Sequence, residues 1–154
     1  ILYVGEEENG IWRIDLSAEA NSDKIDLIPG SNKENNPRIE YDIEGLAIYY
    51  EENGDGFLLA SIQGSFSYAI FDRNGGNRYL GSFVIDGKNE IDGVEETDGL
   101  EIFSGPIGKE FPNGLLVVQD GFNYEGETIT SQNFKYIDLQ EVIDLWNELK
   151  GESI

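Results

Sequence analysis

No cysteine, histidine or methionine occurs among the 154 residues, and only four prolines do. The absence of Cys and His removes the Ser-His-Asp and Cys-His pairs that activate side-chain nucleophiles. It also removes the usual ligands for zinc and copper. Positive charge is scarce: ten Lys and Arg face thirty-one Asp and Glu, for a net charge of −21. Such a surface repels nucleic-acid phosphates and anionic membranes and attracts cations, so neither nucleic acid nor membrane is expected as a partner. Most of the acids read as a solubilising surface and a minority as metal ligands. With only carboxylates, amides and carbonyls to offer, the chain suits Ca²⁺ or Mg²⁺. No signal peptide, lipidation motif or long apolar run is visible. The sequence opens directly on the apolar run Ile1-Leu2-Tyr3-Val4, which makes a cut fragment the expectation.

The apolar share of 39% is enough for a packed core, and nineteen glycines, many in Asn-Gly and Asp-Gly pairs, predict tight turns. Strand-like runs cover residues 1–4 and 11–16 on either side of a Gly5–Gly10 hairpin signal, then 24–28. Residues 30–41, with Pro37, read as a loop. Four strands follow in close order at 45–50, 56–62, 67–72 and 78–85, then an acidic loop at 86–98, then strands at 99–103, 114–119 and 133–137. Residues 138–149 form the one predicted helix, with Asp138 as N-cap and Val142, Leu145, Trp146 and Leu149 on one face.

The strands repeat. Glu44-Gly45-Leu46-Ala47-Ile48 resembles Asp98-Gly99-Leu100-Glu101-Ile102, and each is followed by an apolar strand ending in a glutamine, Gln63 or Gln119. Each of those precedes a strand ending in aspartate, Asp72 or Asp138, and Leu2-Tyr3-Val4 with Trp12-Arg13-Ile14-Asp15 fits one unit earlier. A period of roughly fifty to sixty residues and four antiparallel strands per unit predict β-propeller blades; a β-sandwich is the alternative. The expected fold is all-β, about two and a half blades with one short C-terminal helix. Residues 1–30 form a partial blade, 42–86 a full one, 92–138 the last, and 138–149 the helix.

In a blade, the residue before the innermost strand stands at the mouth of the central channel. Glu44 and Asp98 hold that place in successive units, and Glu7 and Gln63 stand at matching ends of second strands. Clustered carboxylates repel unless a cation holds them, and ligands from several blades suit Ca²⁺. The competing reading is that Glu44 and Asp98 merely begin strands, with Gly45 and Gly99 taking unusual backbone angles, and Glu6-Glu7-Glu8 is by default a solvated hairpin tip. The acidic loop at 91–99 does not follow EF-hand spacing. Gln119-Asp120-Gly121-Phe122-Asn123 is a second oxygen-rich tip, or an ordinary Asp-Gly turn. Tyr49-Tyr50 reads as strand core, since no basic patch accompanies it.

Asp42-Ile43-Glu44-Gly45-Leu46, Tyr49-Tyr50, Ser61-Ile62-Gln63-Gly64 and Ser67-Tyr68-Ala69-Ile70-Phe71-Asp72-Arg73 follow the pattern of the β-propeller phytases in order and spacing. Asp92-Gly93, Thr97-Asp98-Gly99, Val118-Gln119-Asp120-Gly121 and Gln132-Asn133-Phe134-Lys135 continue it. The chain resembles the C-terminal part of that family's domain. The resemblance implies a six-bladed propeller holding several Ca²⁺ ions, with Glu7, Glu44 and Asp98 at the catalytic calcium centre, Asp42 and Gln63 as ligands nearby, and Asp92 and Asp120 at a separate structural calcium site. It implies hydrolysis of myo-inositol hexakisphosphate (phytate) by water activated by the metal, a secreted, extracellular or periplasmic bacterial setting, and a partner in the N-terminal half or a second copy. The family's phosphate-gripping Lys and Arg lie mostly in that other half, and Phe66 departs from the small polar residues common at its place. A non-catalytic propeller fragment that binds calcium or phytate, and an interaction module unrelated to phosphate, are the competing functions.

Overall fold

In a computed structural model, which describes residues 1–17, 25–74 and 76–151, the chain is mostly antiparallel β-sheet with one C-terminal helix. The first sheet pairs β1 (Leu2–Glu6), β2 (Gly10–Ile14) and β3 (Ile25–Leu27) in chain order. The second, also in chain order, holds β4 (Ile43–Tyr50), β5 (Gly56–Ile62), β6 (Ser67–Asp72) and β7 (Tyr79–Phe83). The third is ordered β12-β9-β8, from β8 (Leu100–Phe103), β9 (Leu115–Asp120) and β12 (Asn133–Asp138). A small hairpin of β10 (Tyr124–Glu125) and β11 (Thr128–Ile129) was not foreseen; two-residue strands around Gly126 leave no periodicity to read. The helix α1 spans Leu139–Gly151. The predicted run at 24–28 begins on Lys24, which lies outside the described residues.

The second sheet is buried on both faces, which explains why β5 is apolar but for Ser61 and has every residue buried. Alternation sends Leu58, Ala60 and Ile62 into one core with Ile11, Ile28, Ile39 and Ile43, next to the first sheet. Phe57 and Leu59 go into the other, with Leu116 and Val118 of the third sheet and Leu139, Val142, Ile143 and Trp146 of α1. Asp138 caps the helix as predicted: its Oδ1 accepts the Gln140 N–H at 3.0 Å. Of the tyrosine pair, only Tyr49 belongs to the core, stacked on Phe57 with centroids 5.0 Å apart. Tyr50 shares its face with Leu46 and Ile48 but is exposed because it ends β4, with the Arg73 guanidinium 4.3 Å from its ring.

The two ends of the stack are uncovered. Register puts Leu2, Ile14 and Ile25 on one outer face beside Val4, Trp12 and Leu27. Phe103, Phe134 and Tyr136 stand exposed on the outer strands of the third sheet. β12 therefore inverts the usual pattern: Phe134 and Tyr136 face out while Lys135 between them is buried.

Candidate functional site

Glu44 sits on a β-bulge. Ile43 pairs with Ile62 and Leu46 with Ala60, so the ladder shifts register across Glu44-Gly45. A bulge bends a strand and re-aims its side chains, and here it sits at the end of β4 that meets the neighbouring sheets. On one side, Gly5 of β1 lies against Glu44, and the Ile43 N–H donates to the Glu7 carbonyl at 3.3 Å. On the other, a Cβ on Gly45 would stand 2.6 Å from the Asp98 carbonyl oxygen, so no larger residue fits. The buried Ser61 joins these parts: its Oγ accepts the Gly45 N–H at 2.8 Å and donates to the Asp98 carbonyl at 3.3 Å.

Two glutamines then orient Asp98. Gln63 Nε2 donates to Asp98 Oδ1 at 2.6 Å, and Gln119 Oε1 accepts the Asp98 N–H at 2.7 Å. The Gln63 N–H in turn donates to the Asp42 carbonyl at 2.8 Å. Glu7, Asp42, Glu44, Gln63 and Asp98 are thus gathered at one end of the sheets. The role of Gln119 was missed. Its register also corrects the sequence repeat: Gln119, Ser61 and Gly5 occupy equivalent positions, as do Gln63 and Glu7. The final glutamines of the two strands are therefore not counterparts, because β5 runs to Ile62 with Gln63 in the turn beyond it, whereas Gln119 lies inside β9.

Burial raises the Glu44 carboxyl above the ordinary carboxylate range, and the negative charges of Glu7, Asp98 and Asp42 raise it further. Among the described residues no Lys or Arg forms an ion pair with any of these four. The donor set is all oxygen and lacks a counter-charge, which fits a hard divalent cation. As the side chains stand, no three carboxylates of the described residues come close enough to clasp one ion. Drawing them in is work a cation would do against their repulsion.

Asp92 and Asp120 also converge, but on a lysine. The Lys135 ammonium pairs with Asp120 at 2.8 Å and with Asp92, and reaches Asn123 Oδ1 at 3.3 Å. The Lys135 side chain is 9% exposed and that of Asp120 is 0%. Burial works against the lysine's charge, but the two aspartates outweigh it and raise its pKa. Asp92 is lowered on balance: burial opposes its charge, while Lys135 and the Tyr124 N–H favour it more. At the place expected to hold a structural calcium, the chain supplies its own cation.

The sequence was also compared with known proteins. The phytase family model matches residues 1–151, and the chain belongs to the phytase family. The 3-phytase of Bacillus subtilis (strain 168) is 36% identical over 150 residues. That alignment covers 96% of this chain but 38% of the relative, so the chain spans well under half of the relative's length.

Proposed function

We propose that the chain is the calcium-binding C-terminal part of a six-bladed propeller phytase, which releases phosphate from phytate. The observation that carries this reading is the carboxylate cluster itself. Glu7, Glu44 and Asp98 come from three adjacent sheets, Asp42 and Gln63 flank them, and burial together with the neighbouring carboxylates raises the Glu44 pKa. The three sheets are read as successive blades over residues 1–30, 42–86 and 92–138, followed by the helix. Apolar side chains on both outer faces support neighbours on either side, supplied by the N-terminal half of the same propeller or by a second copy.

Calcium bound at the cluster would neutralise phosphate charge and make water a better nucleophile. The chain's own residues prepare the place. The bulge aims Glu44, Ser61 locks β4 to the strand led by Asp98, and Gln63 and Gln119 hold Asp98 by its carboxylate and its N–H. At the outer cluster, calcium would have to compete with the Lys135 ammonium, which already pairs with Asp92 and Asp120. A secreted, extracellular or periplasmic bacterial setting belongs to the same reading. Among the described residues no helix is long and apolar enough to cross a membrane.

A second reading, binding of calcium or phytate without turnover, is favoured by the lack of any Lys or Arg paired to the cluster among the described residues. Phosphate release from phytate distinguishes the two, measured on the full-length protein containing the chain, with excess calcium and then with chelator. Calcium-dependent release that Glu44→Gln abolishes supports hydrolysis. Calcium binding without release supports the second reading.

A further inference from the structure

Phe66 and Phe122 stand beside the carboxylate cluster with no part in it so far. Phe66 ends the 3₁₀ turn formed by Gln63–Ser65, and its N–H donates to the Gln63 carbonyl at 3.1 Å. Its backbone is left-handed, at φ 51° and ψ 37°, a region that a bulky side chain enters only when its surroundings hold it there. Phe122 follows the Asp120-Gly121 turn at the end of β9, and that turn is tied by the Gly121 N–H donating to the Glu95 carbonyl at 2.8 Å. The rings meet edge to face, 6.2 Å between centroids at 79°. Each phenylalanine is still more than a third exposed, at 37% and 36%. Little core burial is gained by two large apolar residues here. Their contact joins the turn that carries Gln63, on the second sheet, to a turn of the third sheet that packs on the loop leading to Asp98. Across the same gap Gln63 Nε2 reaches Asp98 Oδ1.

We infer that Phe66 and Phe122 are positioning residues: their edge-to-face contact clasps the two turns and keeps the Gln63 amide on the Asp98 carboxylate. This deepens the calcium reading of the cluster, on which its functional meaning rests, but the clasp is a property of the chain alone. With the contact gone, the Gln63 amide is held to the Asp98 carboxylate by its own hydrogen bond only, and the carboxylate loses a fixed orientation while the Asp98 backbone stays on Gln119 and Ser61.

The test is NMR of the Gln63 side-chain amide in the wild-type chain and in Phe66→Asn and Phe122→Ser. Asparagine tolerates the left-handed backbone, so the first variant removes the ring without adding strain. The second leaves the Gln63 turn untouched in sequence, so misfolding of one variant does not spare the claim. The wild type is expected to show a downfield, exchange-protected amide proton donated to a carboxylate, and both variants the resonance of a free glutamine. Phe122→Tyr, which keeps the ring, is expected to retain the wild-type signature. Calcium affinity, read in parallel, is expected to fall about two- to tenfold in Phe66→Asn and Phe122→Ser, the range of an aromatic pair's contribution. An unchanged Gln63 amide in a folded variant overturns the clasp. If the wild type binds no calcium, the metal reading fails while the amide signature still decides the clasp.

Discussion

Lys135→Met is the sharpest perturbation of the outer cluster. Methionine keeps the aliphatic stem and so most of the apolar packing, while removing a 9% exposed ammonium that serves two carboxylates. Asp120, whose side chain is fully buried, keeps one partner, the Glu95 N–H at 3.1 Å, and faces Asp92 across the vacated space. Breaking one partner out of a buried ion pair costs about 3–5 kcal/mol, because a buried charge is left unopposed. Asp92, with a side chain 19% exposed, can turn partly to solvent. The lower end, about 3 kcal/mol, is therefore expected. In a domain of this size each kcal/mol moves Tm by about 2–4 °C, so a fall of about 6–12 °C should appear in thermal unfolding followed by circular dichroism in chelator. Neutralising the carboxylates as well, in Lys135→Met with Asp92→Asn and Asp120→Asn, should recover most of the loss. Calcium should also rescue Lys135→Met more than it stabilises the wild type, since the ion no longer competes with the ammonium. A loss below about 1 kcal/mol, or no recovery in the triple variant, would mean that Lys135 does not offset the buried charge of Asp120.

Three further outcomes follow from particular contacts. Tyr68 and Thr97 share a buried hydrogen bond of 2.6 Å beside Asp98, and burial keeps the phenol protonated at any ordinary pH. Tyr68→Phe should cost about 1–2 kcal/mol in urea unfolding, and no loss would mean that Thr97 finds another partner. Asp55 is lowered on balance: burial opposes its charge, but the Gly56 N–H and Lys150 outweigh it. Its stabilisation is therefore present above the unfolded pKa of about 4 and is lost as pH falls through the depressed value. Asp55→Asn should flatten that acid limb of the Tm–pH curve by about 1 kcal/mol, and an unchanged limb would count against the tie to α1. The uncovered apolar faces predict association, so light scattering should report dimers or larger species, and a monodisperse monomer would contradict the proposed neighbours.

Much of the architecture was legible because burial and periodicity agree. The residues of β5 form an apolar run interrupted only by Ser61 because both faces of their sheet are covered, and the bounds of β5 and β6 were legible from their apolar residues. The helix followed from its apolar face and its Asp138 cap. The cluster of Glu7, Glu44, Gln63 and Asp98 could be anticipated because the repeat puts like residues at like strand ends.

Much of what could not be read depends on a partner distant in sequence. Lys135 looks like a surface residue in an alternating strand, and only the fold shows Asp92, forty-three residues away, beside it. Gln119 seemed the counterpart of Gln63 because both follow apolar runs, but pairing with Phe134 fixes it inside the sheet. The bulge at Glu44 leaves no mark beyond Gly45, whose need for glycine comes from the carbonyl of Asp98. Tyr49 and Tyr50 are adjacent, yet Tyr49 packs on Phe57 while Tyr50, the last residue of β4, is exposed.

That the carboxylates around Glu44 bind calcium is tested most directly by calorimetric titration of the metal-free chain with calcium, on the wild type and on Glu44→Gln. Calcium binding accompanied by a rise in Tm is expected in the wild type. In Glu44→Gln a higher metal-free Tm is expected, because a repelled, half-buried charge is gone, together with loss of that binding. A wild type that binds no calcium, or a Glu44→Gln chain that binds it equally well, would rule out a calcium site at Glu44.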